Sequence, residues 1–229
     1  MKLKNKILQI TCDGGAATGK STGAKMISKK YKLAFLSSGL LYRYSSYLLL
    51  KHKPKNKIRF LKDKFKKLNY KKLSKYNLHS PEISAHSATI AKVLAIRKIL
   101  KKYQVDFSKK NKRCVLEGRD SSTKILPNSD VKFFFICNLN IAAKRRYYEL
   151  KKINYDLKLL HVKKALKLRN ISDIKRKHSP LKKHKNAVVV DTGKLNKQAM
   201  LKRMTKYIDK SIEFKYGKWT RTKKNKPST

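Results

Sequence analysis

The sequence predicts an α/β fold built on a mostly parallel central sheet with helices packed over its faces. Two observations carry this. Short apolar runs alternate with longer segments of helical periodicity along the chain, as in successive strand–helix units. The first run, Ile7-Leu8-Gln9-Ile10-Thr11-Cys12, passes through a glycine-rich turn into a helix from Ser21 to Tyr31. Of 229 residues, 40% are hydrophobic, enough for one core with a small inserted lid or substrate domain.

The remaining elements follow in order. Leu33–Leu36 is a second short strand, and Leu40 to Leu50 an apolar, aromatic helix. Lys51 to Asn77 is the most biased stretch in composition and sits where an insertion would be tolerated. Ser80 and Pro81 give an N-cap and first-turn proline for one long helix from about Glu82 to Tyr103, with Ile90, Val93, Leu94, Ile96 and Leu100 at helical spacing. Cys114–Leu116, Val131–Ile136 and Ala187–Val190 read as strands. Asn140 to Lys152, Asp156 to Arg169 and Lys197 to Phe214 read as helices, and the tail from Lys215 is polar.

The turn after the first strand is the most informative feature. Residues 14–21, Gly14-Gly15-Ala16-Ala17-Thr18-Gly19-Lys20-Ser21, fit the phosphate-loop pattern G-x-x-x-x-G-K-[ST], and Thr22 follows. The glycines let the backbone curl so that successive N–H groups point at a phosphate, and the following helix adds its N-terminal partial charge. Lys20 is placed for the β and γ phosphates and Ser21 for Mg²⁺. Strand, loop and helix together predict a P-loop NTPase-type three-layer fold that binds a nucleoside triphosphate, with ATP and Mg²⁺ as the expected cofactors.

Three further clusters lie where an α/β sheet binds ligands, beyond the carboxyl ends of its strands. Ser37-Ser38-Gly39-Leu40-Leu41-Tyr42-Arg43 opens a helix after the second strand, and Arg43 can fork onto a phosphate. Glu117-Gly118-Arg119-Asp120 follows the third strand. Arg169, Asp173 and Arg176 fall at i, i+4 and i+7, which places all three on one helical face. Arginines closing over a moving phosphoryl group neutralise its charge and exclude water. Val188-Val189-Val190-Asp191 is similar to the Mg²⁺-binding strand of many phosphate-loop enzymes, but near the chain's end it reads as a strand leading to an adenine-side loop.

The net charge of +48 raises the question of nucleic acid. The lysines are scattered, with many Asn, Ile and Tyr, as drift toward AT-rich codons produces, and the aromatics follow helix and strand patterns. Specific nucleic-acid binding is therefore not expected, although a nucleotide-dependent RNA-binding protein stays open as an alternative. No apolar run approaches the ~20 residues that cross a bilayer, and no signal peptide fits before the first strand, so a cytoplasmic protein is expected. Cys12, Cys114 and Cys137 lie in or beside apolar runs and read as reduced and structural. His161, His178 and His184 have no partners at metal spacing. A GTPase is disfavoured because no N-K-x-D signature is found.

In this order the motifs resemble the bacterial cytidylate kinases, nucleoside monophosphate (NMP) kinases. The family pattern D-G-P-S-G-A-G-K-[GS]-T stands here as Asp13 to Thr22, and D-S-G-x-x-Y-R as Ser37 to Arg43. D-G-R-D-x-G-T stands as Glu117 to Thr123, V-R as Ile96-Arg97, and the lid pattern R-x-x-x-D-x-x-R followed by P-L as Arg169, Asp173, Arg176 and Pro180-Leu181. Ser37, Glu117 and Ser122 depart from the Asp, Asp and Gly of the patterns, and Ala88 stands where the family has a serine.

The resemblance implies phosphorylation of CMP and dCMP by ATP. It implies that Arg97 and Asp120 read the cytosine, that Arg43, Arg119 and Arg176 hold the monophosphate with Ser38 among the substrate-binding residues, and that Asp173 contacts the ribose with Arg169 helping there and at the transferring phosphoryl group. Lys20, Arg169 and Arg176 become the catalytic group. The expected organisation is core at 1–38, 111–154 and 186–214, an NMP-binding region at 39–110, a lid at 155–185 and a basic tail at 215–229. A monomer without membrane association is expected, and a small phosphate-loop kinase with a different acceptor remains the nearest alternative.

Overall fold

The protein is described by a computed structural model covering residues 6–151 and 156–217. Met1 to Asn5, the expected helix end at Lys152 and the tail from residue 218 lie outside the described residues. Five strands, β1 (Leu8–Gly14), β2 (Ala34–Ser37), β3 (Arg113–Gly118), β4 (Val131–Ile136) and β5 (Val188–Asp191), form one sheet in the order β2-β3-β1-β4-β5. Every neighbouring pair is parallel. Parallel strands covered on both faces read as continuous apolar runs, which is why they were visible in the sequence.

Among the described residues, eight α-helices surround the sheet: α1 (Lys20–Tyr31), α2 (Ser38–His52), α3 (Lys57–Lys66), α4 (Pro81–Ile90), α5 (Leu94–Lys110), α6 (Leu139–Lys151), α7 (Leu159–Lys175) and α8 (Lys197–Tyr216). One core packs Ile10, Phe133, Phe135 and Val190 of the sheet against Ala24 and Ile27 of α1 and Met204 and Ile208 of α8. The other packs Leu36, Cys114 and Leu116 against Leu41 and Leu48 of α2 and Leu100 of α5. A third, smaller cluster joins Ala16 of the phosphate loop to Ala142 and Ala143 of α6 and Val162 and Leu166 of α7.

Three expectations change. The single helix over 82–103 is two, α4 and α5, broken at Ala91-Lys92-Val93. There the Lys92 and Val93 amides turn back to Thr89 and Ile90 at 3.1 and 3.0 Å, and the Arg97 guanidinium takes the Ala91 carbonyl at 3.1 Å. A side chain satisfies the carbonyl that a continuing helix would have used. Second, the biased stretch 51–77, to which the sequence assigned no element, is structured. It folds as α3 and a 3₁₀ turn, Tyr70–Lys75, with Leu61, Phe65 and Leu73 in the second core. Asn56 and Asn69 cap the two elements by accepting the Arg59 and Lys71 amides, each at 3.0 Å. Third, the helix expected to end at Arg169 continues to Lys175, and the last helix to Tyr216.

Cys12 and Cys114 are free and buried in the sheet, and Cys137 is free and half-buried. Among the described residues no helix is long and apolar enough to cross a membrane.

Candidate active site

The phosphate loop joins the end of β1 to the start of α1. Gly14 stands at φ +156°, and a Cβ there would lie 2.5 Å from the Phe135 carbonyl oxygen, so only glycine fits. Gly19 enters α1 at φ +77°. Ala17 also sits in the left-handed region, at φ 56°, where the family pattern carries glycine. A Cβ in that region costs ~1 kcal/mol, so this loop stores strain that the family's glycine avoids.

Lys20 folds back over the loop. Its Nζ donates to the Gly15 carbonyl at 3.0 Å, shared with Thr18 Oγ1 at 3.0 Å, and stands 3.5 Å from Glu117 Oε1. Glu117 in turn accepts from Ser37 Oγ at 2.6 Å. Burial and the nearby Arg119 push the Lys20 ammonium down to about 7, with Glu117 opposing. Phosphate arriving at Nζ stabilises the charged form and raises the pKa again. Binding of ATP at pH 8 is therefore expected to take up close to one proton, read by calorimetry in buffers of different ionisation enthalpy. A Lys20→Met variant should lose that uptake; uptake unchanged in the variant would show that Lys20 is already charged in the free protein.

Beyond β2 and β3, Ser38, Arg119, Asp120, Arg169, Asp173 and Arg176 line one cavity with Tyr42 and Ala88. Arg119 Nε donates to Asp173 Oδ2 at 2.8 Å and Arg176 Nη1 to Asp173 Oδ1 at 3.3 Å. Burial pushes the Asp173 carboxyl up, but Arg119 and Arg176 outweigh it and hold it below its ordinary value. Asp120 Oδ2 accepts from Arg97 Nη2 in a buried pair, and Arg176 Nη2 approaches Asp120 Oδ1 at 3.9 Å. Arg97 therefore sits behind Asp120, on the wall of a neighbouring cleft rather than in this cavity.

Arg43 also stands apart, bonded to the Leu78 carbonyl at 3.5 Å and to His79 Nδ1. Burial pulls its pKa down to about 10. Arg169 is lowered to about 10 by burial and by Arg119. Arg176 is not on the helical face that its spacing implied: it follows the last residue of α7 in an extended conformation. It reaches the cavity because its Nε is held by the Ser179 carbonyl at 2.7 Å.

Three residues to which the sequence assigned no role hold backbone amides of the site. Asn170 Oδ1 accepts the Ala16 amide at 3.0 Å, so α7 rests directly on the phosphate loop. Tyr70, from the lysine-rich stretch, accepts the Ser37 amide at 2.7 Å. Asp13 is fully buried and accepts from Ser121 and Ser122. The cavity holds about 50 Å³ and adjoins the larger cleft of about 410 Å³ that Tyr42 and Asp120 also line. After β5, Thr192 Oγ1 donates to the Thr18 carbonyl at 2.9 Å, tying that loop to the phosphate loop.

The site thus joins a phosphate loop to an arginine-rich cavity lined by Asp120, whose buried partner Arg97 lines the neighbouring cleft. Residues 10–210 match the model of a family described as cytidylate kinase. The chain belongs to the cytidylate kinase family. It is 37% identical over 209 residues to a cytidylate kinase of Bartonella tribocorum, covering 89% of this chain and 95% of that protein. It is 31% identical to a cytidylate kinase of Clostridium tetani, covering 93% and 98%. A crystal structure of an uncharacterised protein from Eubacterium ventriosum shares the fold, with a TM-score of 0.52 at 17% identity, covering 90% of this chain and 99% of that one. As a member of the cytidylate kinases, the chain is a phosphotransferase enzyme that phosphorylates CMP at the expense of ATP.

Proposed function

We propose that this cytidylate kinase transfers the γ-phosphoryl group of ATP to a phosphate oxygen of CMP or dCMP, through the residues of the cavity described above. The observation that carries the reading is the buried Arg97–Asp120 pair, Asp120 lining the cavity and Arg97 the cleft beside it, together with the phosphate loop that Lys20 folds over. The cytosine amino group is a donor that the Asp120 carboxylate accepts; ring N3 and O2 are acceptors that the Arg97 guanidinium meets. Uracil presents O4 in place of the amino group and sets an acceptor against the carboxylate.

Ser38, Arg43, Arg119 and Arg176 bind the CMP phosphate in this reading, and Asp173 receives a ribose hydroxyl. The attacking oxygen of CMP forms the new P–O bond while the bond from the γ-phosphorus to the β–γ bridging oxygen breaks, leaving ADP; no covalent enzyme intermediate is needed. Lys20, Arg169 and Arg176 neutralise the charge on the moving group. Ser21 and Thr22 are exposed at the N-terminus of α1 beside the loop. The Ser21 hydroxyl would hold Mg²⁺, which would offset the charge of the ATP phosphates. The loop after β5 forms the adenine-side wall. A cytoplasmic monomer is part of the proposal.

Asp120→Asn tests the base assignment. The amide can donate to O4 of uracil, so selectivity for CMP over UMP should fall roughly 10- to 100-fold, with CMP activity falling too. The measurement is kcat/KM for both nucleotides in the two proteins. A ratio that does not move would mean Asp120 does not read the base.

A further inference from the structure

Asp13 is a fully buried carboxylate that the chemistry above does not use. It ends β1 one residue before the phosphate loop and pairs across the sheet with Gly118 of β3. Its Oδ1 accepts the Ser121 amide at 2.8 Å; its Oδ2 accepts the Ser122 amide at 2.7 Å and the Ser122 hydroxyl at 2.6 Å. These donors belong to the first two residues of a single π-helical turn, Ser121–Ile125, that begins directly after Asp120. The turn closes on the Asp120 carbonyl, which accepts the Lys124 amide at 2.8 Å and the Ile125 amide at 3.3 Å.

From these contacts we propose that Asp13 is a positioning residue for base selection, fixing the Asp120 carboxylate against Arg97 by clamping the amides of the turn that follows it. The proposal rests on the reading of Asp120 as the cytosine acceptor. The first amides of such a turn have no partner within it and need an acceptor from elsewhere. Asp13 supplies one, so the chain is held two residues before Asp120 by the strand ladder and one and two residues after it by the carboxylate. There is no slack between: a Cβ on Gly118 would lie 2.6 Å from Ser121 Oγ and 2.7 Å from Ser38 Oγ. Asp13 holds this place although burial raises its pKa and the charge of Asp120 adds to that rise. The third bond is this chain's own, because the family pattern has glycine where Ser122 stands.

The test compares CMP and UMP turnover, as kcat/KM, in Asp13→Asn, Ser122→Ala, Asp120→Asn and the double variant Asp13→Asn/Asp120→Asn. Asparagine keeps the shape but sets an N–H against donors. Asp13→Asn should lower the CMP-to-UMP ratio ~10-fold and Ser122→Ala ~2- to 3-fold. The double variant should show the ratio of Asp120→Asn alone, since one residue acts through the other. Should Asp13→Asn fail to fold, Ser122→Ala carries the test, because it removes one hydroxyl and leaves both backbone bonds. A purely structural role predicts lower thermal stability and equal losses for both nucleotides; an unmoved ratio in the Asp13 and Ser122 variants, with the Asp120→Asn ratio lowered, overturns the proposal. Multiplying losses in the double variant overturn it as well. An unmoved ratio in Asp120→Asn itself instead removes the base reading on which the proposal rests.

Discussion

Replacing Lys20 by alanine is expected to lower kcat by ~100-fold or more, the effect of removing one pre-organised charge from a phosphoryl-transfer transition state. The lysine is buried against the loop with its ammonium on the Gly15 carbonyl and near Glu117. Gly15 keeps the Thr18 hydroxyl and Glu117 Oε2 keeps Ser37, while the buried Glu117 Oε1 loses its cation. The variant should lose some stability as well, and circular dichroism with a thermal melt separates that loss from the loss of turnover. Near-normal turnover in a folded Lys20→Ala protein would remove the phosphate loop from the mechanism.

Arg176→Ala carries the second large effect. Arginine supplied to a transferring phosphoryl group accelerates the reaction by about 10³-fold or more, so kcat should fall by two to three orders of magnitude, roughly. The KM for CMP should rise, while ATP affinity should change little. The guanidinium is oriented by Ser179 and Asp173, yet its buried Nη2 has no hydrogen-bond partner. A buried donor left unpaired costs ~1–3 kcal/mol, and a phosphate oxygen would satisfy it. Unchanged kcat and KM would reduce Arg176 to a structural link between α7 and the segment after it.

The sheet was legible because parallel strands buried on both faces are apolar without alternation; Val131-Lys132-Phe133-Phe134-Phe135-Ile136 was read to the residue. The phosphate loop was legible because glycine spacing states a backbone requirement directly, as the Cβ clash at Gly14 shows. The break between α4 and α5 was not, because its cause is a side chain six residues away: Arg97 bonds the Ala91 carbonyl. The elements within residues 51–77 were not legible for a different reason. Lysine on the exposed faces of α3 outweighed the Leu61 and Phe65 pair that marks its buried face. The site divides in the same way. Residues of Ser38, Arg119, Asp120 and the lid type advertise their chemistry by position after a strand. Asn170 and Asp13 act through backbone amides that only the fold brings near, 154 and 108 residues away in sequence.

The most direct test of the account is ADP release by the wild-type protein, with ATP and Mg²⁺, across CMP, dCMP, UMP and AMP as acceptors. The Arg97–Asp120 pair predicts CMP and dCMP as the preferred substrates, with UMP at least ~10-fold lower in kcat/KM and AMP lower still. Comparable use of UMP or AMP, or no acceptor-dependent ADP release at all, would contradict it.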